Sequence, residues 1–278
     1  MFSLPAPYLE ACPARAQERI DMALSILQFA RNYTVYPEVP LQVSLPSPTT
    51  AKSLLALLVF GHRTNYGFNI GRESAETVAP VITDDKANTW TLLEYILNIA
   101  QDYGTSLPVI SPDASGNFPS VYLYVAPSSG SLKSGGVTAW VTDAGLSNAS
   151  VSPPIEYGRP VFDSGIRAVL LECAGTTGAP GTQTAVDVHG NTITANAKLG
   201  YQLINPSNNN ELIIEAGALI DSSALGLGTG ASYVTSASYP AGSSYWLVQQ
   251  TLQGTKAKSA GFSNPIGYMG AAAAVALS

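Results

Sequence analysis

The stretch ANTWTLLEYILNIAQDYG, residues 87–104, decides how the fold is read. Leu92, Leu93, Ile96, Leu97, Ile99, Ala100 and Tyr103 recur at a spacing that sets them on one broad helical face. Asp85 or Asn88 can cap the start, because a short side-chain oxygen accepts from the exposed amides of a first turn. Gly104 stands where a left-handed C-terminal residue is wanted. The spacing predicts a core helix over Ala87–Tyr103 and makes the chain α+β.

Toward the N-terminus, Cys12-Pro13 opens a further helix, since proline is tolerated at the first helical position. Ile20, Leu24, Leu27 and Ala30 follow at helical intervals, and Met22, Ile26 and Phe29 widen the stripe. Arg31 suits a last turn and Asn32 a stop. TVYPEVPLQVSLPSP, residues 34–48, holds four prolines and predicts an extended, edge-like path. A short helix is predicted from Thr50, as N-cap, through Leu58.

Beyond Gly104 the pattern is β. Predicted strands are Val121–Ala126, Val137–Thr142, Ile166–Cys173, Thr184–Val188, Thr192–Ala197, Tyr201–Ile204, Glu211–Glu215 and Tyr245–Leu252. AVDVHGNTITA, residues 185–195, alternates on both sides of a glycine-containing turn and reads as a hairpin. Short strands separated by Gly, Pro, Ser and Asn describe a sandwich or jelly-roll-like barrel, mainly β, with a few helices in the N-terminal third. A composition shift at Ser152-Pro153-Pro154 divides a mixed region, 1–150, from a β-rich region, 151–278; one continuous domain fits equally.

Charge is the unusual feature. Charged residues are 12% of the 278, about half the share of an ordinary globular protein. From Ser222 to Thr255 there is none, and none follows Lys258. With 46% hydrophobic residues and a net charge of −6, the chain is not of a disordered composition. Surfaces poor in Lys, Glu and Asp resemble the centres of protein–protein interfaces. The thirteen basic residues are scattered, so direct nucleic-acid binding is not expected. No run approaches the roughly 20 apolar residues of a spanning helix, and no membrane span or secretory leader is expected. Cys12 and Cys173 form no zinc or redox motif and read as two buried thiols.

Catalytic constellations are weak. His62 has Arg63 beside it, and His189 lies near Asp187 in the expected hairpin turn without a nucleophile. Gly-x-Ser segments lack the second glycine of a nucleophile elbow, and GLGTG, residues 226–230, lacks a following lysine and helix. Glu172, Glu211 and Glu215 are the carboxylates that a glycoside hydrolase could use, while Asp84-Asp85 reads as a helix-start cluster. No catalytic, metal or cofactor residue is assigned.

The expectation is therefore a non-enzymatic structural subunit of a large assembly, a virus or bacteriophage virion protein acting in a homo-oligomer with other structural proteins. Its uncharged C-terminal tail would lie against neighbouring copies. The alternative is an extracellular or cell-surface module that binds a receptor or glycan, with a glycoside hydrolase third. Candidate interaction residues are Tyr233, Tyr239, Tyr245, Trp246, Phe262 and Tyr268.

Overall fold

The computed structural model describes residues 24–34, 39–50, 53–64, 79–97, 117–128, 136–143, 162–174, 185–193, 201–204, 211–220, 225–238, 245–253, 258–262 and 269–277. Its strands in chain order are β1 Ser25–Thr34, β2 Leu41–Ser44, β3 Leu54–Thr64, β4 Val81–Asp84, β5 Thr91–Leu97, β6 Asn117–Pro127, β7 Thr138–Thr142 and β8 Phe162–Ala174. They continue as β9 Ala185–Ile193, β10 Tyr201–Ile204, β11 Glu211–Ile220, β12 Ser232–Ser238, β13 Tyr245–Gln253, β14 Lys258–Gly261 and β15 Met269–Leu277. Among the described residues there is no helix.

Three antiparallel sheets stack in layers. The central sheet has the order β1-β8-β3-β6-β5, the second β12-β13-β11-β15-β9, and the third β2-β7-β4. A two-stranded ladder, β10 with β14, is hydrogen-bonded to none of these and lies against β9, β15 and β11. β8 comes from beyond the composition shift at residues 152–154, yet it pairs between β1 and β3.

Side chains of the central sheet alternate between two cores. Leu55, Leu57 and Val59 of β3 join Tyr122, Tyr124, Ile166, Ala168 and Leu170 against Leu41, Val43, Ala139 and Val141 of the three-stranded sheet. Leu54, Ala56, Leu58 and Phe60 face the other way with Val121, Leu123, Val169 and Leu171. They meet Leu212, Ile214, Ala216, Trp246, Val248, Ala273 and Val275 of the second five-stranded sheet. A strand buried on both faces needs apolar residues at every position, not every second one. The outer sheets contrast with this, since β2 alternates strictly between buried and exposed.

This double burial corrects the predicted helix from Thr50 to Leu58. Leu54–Leu58 belongs to β3, hydrogen-bonded to β6 on one side and β8 on the other. An unbroken apolar run fits a buried strand or a buried helix equally by periodicity.

The helix expected over Ala87–Tyr103 is also a strand where it is described, because Thr91–Leu97 pairs with β6. Its start is held open by Asp84, whose carboxylate accepts from Lys86 N at 2.8 Å, Asn88 N at 3.0 Å, Asn88 Nδ2 at 2.8 Å and Trp90 Nε1 at 2.9 Å. Ala87 takes a φ of 55°, which no helix start can use. The expected helix-start cluster at Asp84-Asp85 is thus the acceptor of a turn. Burial pushes the Asp85 carboxyl up, but bonds from Lys86 Nζ and the Thr138 N–H, with the Lys86 charge, outweigh it and leave it below its ordinary value. The small stabilisation this gives is present above the unfolded value and fades as pH falls through the lower folded one. Residues 98–103 lie outside the described residues.

In the first predicted helix, Ser25–Thr34 is β1, paired with β8 along its length apart from a bulge at Leu27. The earlier part, from Pro13, lies outside the described residues. The hairpin expected in AVDVHGNTITA is one strand. Pairing of β9 with β15 runs through His189, Gly190 and Asn191, each set opposite an alanine of β15. A lone glycine is carried through when a neighbouring edge supplies the ladder.

The C-terminal tail is not a free arm. β15 is an interior strand between β11 and β9, and Ala271, Ala273, Val275 and Leu277 are core residues. Its alanines follow from their neighbours: Trp246 stands opposite Ala218, which stands opposite Ala271, so one large ring is matched by two small side chains. Deletion of residues 262–278 is therefore expected to abolish the cooperative unfolding transition, measured by urea denaturation. A folded, cooperatively melting protein after that deletion would contradict this topology.

Candidate functional site

One flank of the layered body is formed by three edge strands, β2, β1 and β12, each terminal in its sheet. Side chains tie them together. Arg31 Nη1 of β1 donates to Thr235 Oγ1 of β12 at 3.0 Å and to the Ser236 carbonyl. Asn32 Nδ2 donates to the Gln42 carbonyl of β2 at 2.7 Å. Gln28 Nε2 donates to the Ser47 carbonyl, and its Oε1 accepts from Ser47 N, both at 3.0 Å.

Across residues 24–34, 39–50 and 225–238, which build this flank, Arg31 is the one charged side chain. Apolar groups are nonetheless exposed there: Leu27 (44%), Phe29 (41%) and Tyr33 (60%) on β1, Val39 (53%) before β2, Leu227 (40%) before β12 and Tyr233 (56%) on β12. Of the large hydrophobic residues exposed among the described residues, only Val81 lies on another edge strand. Natural sheets usually protect such edges with lysine, other charges or proline. Here β2 is preceded by Pro40, while β1 and β12 contain no proline. What this flank can do chemically is accept a partner through backbone hydrogen bonds and apolar contact.

The carboxylates singled out from sequence have structural partners. Glu172 is buried at the end of β8 and accepts from Gln28 Nε2 at 2.6 Å, Thr50 N at 2.6 Å and Ser53 Oγ at 2.9 Å. It ties Gln28 of β1, Thr50 and Ser53, the residue before β3, to one point. Glu215 and Gln249 are opposite each other on β11 and β13. Gln249 Nε2 donates to Glu215, and Gln249 Oε1 accepts from Gly228 N at 2.9 Å. Glu211 is on the same face as Glu215, with the fully buried Ile213 between them. Four residues of strand span about 13 Å, wider than the roughly 5–9.5 Å between carboxyl groups of glycoside hydrolases. Cys173 is buried, and burial first, then the Glu172 charge, pushes its thiol far up, so it stays protonated. His62 falls on β3 opposite Pro119, far in the topology from His189 on β9. No group of three His, Cys, Asp or Glu among the described residues could hold a metal ion. No described helix is long and apolar enough to cross a membrane.

Of the six aromatic residues proposed from sequence, Tyr233 is exposed on the flank, its hydroxyl 3.2 Å from Ser236 Oγ. Trp246 is buried and stacks on Phe60 with ring centroids 5.2 Å apart. Phe262, just after β14, is buried on the outer face of the second five-stranded sheet, over Gly217, where an added Cβ would come within 2.7 Å of the ring. Tyr245 opens β13, and Tyr239 and Tyr268 lie outside the described residues. The flank residues Leu27, Phe29, Arg31 and Tyr33 were hidden by helical spacing. Leu27, Phe29 and Tyr33 at odd positions, with Gln28 and Asn32 between, carry a period-2 signal that Ala30 and Arg31 blur.

Comparison with models of protein families, with curated proteins and with solved structures finds no match.

Glu172→Leu is expected to cost about 3 kcal/mol or more in denaturant unfolding, because several donors lose a charged acceptor at once. Glu172→Gln should cost less, and equal costs would deny that the carboxylate gathers these donors. In a Cys12→Ser background, Cys173 should resist thiol reagents until the chain unfolds. Rapid labelling of the native protein would contradict its burial.

Proposed function

We propose that the chain is a structural subunit of a large protein assembly, acting through self-association. The kind of particle that fits is a virus or bacteriophage virion, with this chain as capsid coat, cement or tail component. The observation that carries the reading is the flank of β2, β1 and β12, where exposed apolar residues surround a single charge. A flank of this kind left in water is a site of uncontrolled strand pairing, so a specific partner is its natural cover. Low charge over the whole chain points the same way, and the scattered basic residues fit a position without direct genome contact.

A glycan- or receptor-binding module is the second reading, and exposed Tyr233 is what favours it, since an aromatic face can pack on a sugar ring. Trp246 and Phe262 add nothing to such a surface because both are interior.

Light scattering with negative-stain imaging tests the proposal. Particles, rings or sheets of many copies are expected, and a monomer at every concentration would count against it. The double variant Tyr33→Lys/Tyr233→Lys should shift the mass toward monomer with an unchanged thermal midpoint. Assemblies of unaltered size in that variant would remove the flank from the reading.

A further inference from the structure

We infer that the partner strand at β1 is β1 of a second copy, paired antiparallel about a two-fold axis at Ala30, so that the central sheet continues from one molecule into the next. The inference rests on the self-association reading and names the contact that it uses.

The register follows from four observations. First, the Tyr33 N–H donates to Asn32 Oδ1 at 2.9 Å, so it points away from β8. Backbone groups of an antiparallel strand alternate between its two sides, which turns the N–H and C=O of Phe29 and Arg31 outward as well. An added strand must therefore pair odd-numbered residues with odd-numbered ones, placing the two-fold axis at a residue and not between two.

Second, β1 carries one charge. An axis at Arg31 would set that guanidinium against its own copy, and directly opposed like charges are destabilising. Third, the bulge at Leu27 interrupts the strand. An axis at Phe29 would pair Arg31 with Leu27 across the bulge and leave one clean hydrogen-bonded pair. An axis at Ala30 pairs Phe29 with Arg31 twice, once in each direction, and meets the bulge only outside these pairs, where Leu27 faces Tyr33; an axis at Asn32 would need the Tyr33 N–H that Asn32 Oδ1 already holds. Fourth, this register sets the ring of Phe29 beside the stem of Arg31, whose guanidinium is already anchored on Thr235 and Ser236. Gln28 then faces Asn32, and the half-buried Ala30 faces itself.

A two-fold axis normal to the central sheet keeps layer against layer. The β12 edges of the two copies then face each other, with Leu227 and Tyr233 along the rim of the contact. This use of the flank explains why its exposed residues lie on three stacked edges and not on one.

The test uses the full chain with Cys12→Ser. At an axis on Ala30, the two Ala30 residues form a non-hydrogen-bonded pair with Cα atoms about 4.5 Å apart, inside the roughly 4.4–6.8 Å that a disulfide spans. Ala30→Cys should give a covalent dimer under mild oxidation, read by non-reducing gel electrophoresis and peptide mapping, whereas Phe29→Cys should not. Cross-linking of Phe29→Cys alone, or of both variants alike, overturns the register. No cross-link in a protein that still assembles by light scattering overturns this contact and leaves the self-association reading standing. No cross-link and a monomer at every concentration defeats both. Should Ala30→Cys fail to fold, Phe29→Lys serves instead, because Phe29 is exposed. It sets two like-charge pairs across the axis and should weaken association by roughly tenfold or more. Unchanged association in Phe29→Lys would overturn the inference.

Discussion

A strand with protein on both faces has nowhere to place a polar side chain, and β3 obeys that constraint from Leu54 to Phe60. Its odd- and even-numbered side chains enter different cores, so each outer sheet is held to the same central layer. β8 departs from the constraint at two charged residues, Arg167 near its middle and Glu172 near its end, both buried. Glu172 there gathers donors from β1 and the segment before β3, closing the end of the layer. Stacking three sheets also stacks their edges, and the flank of β2, β1 and β12 is a direct result.

The same constraint explains what could be read from the sequence. β10 is predicted with its observed ends, and β7 and β13 nearly so, because glycine- and proline-rich segments bound them, while the predicted Val121–Ala126 and Ile166–Cys173 cover only part of β6 and β8. Residues 54–58 and 91–97 read as helix because two-faced burial or a local bulge removes the period-2 pattern that betrays a strand. β5 has such an irregularity between Leu92 and Glu94. The alanine-rich β15 was missed for another reason. Alanine is a poor strand former by propensity, and only the neighbouring Trp246 makes small residues the right choice there. Tyr233, among the proposed contact residues, is exposed as a surface role requires; Trp246 and Phe262 are aromatic because the interior needs volume.

Charge depletion has two separable origins in this architecture. Part of it is burial: β11, β13 and β15 lie in the middle of a sheet whose inner face is core, and the outer face is partly covered at Leu219, Leu247 and Phe262. The other part falls on the exposed positions of residues 24–34, 39–50 and 225–238 and has no such explanation within one chain. That second part links the fold to the proposed assembly, and the anchoring of Arg31 across two sheets shows that even its single charge serves the body of the protein.

Hydrogen exchange resolved by residue tests the central claim, the burial of the middle sheet on both faces. Amides of Leu54–Phe60 and Val169–Leu171 should exchange slowest of all and only through global unfolding, well after those in the outer strand Val81–Asp84. Exchange of Leu54–Phe60 as fast as Val81–Asp84 would contradict the three-layer account.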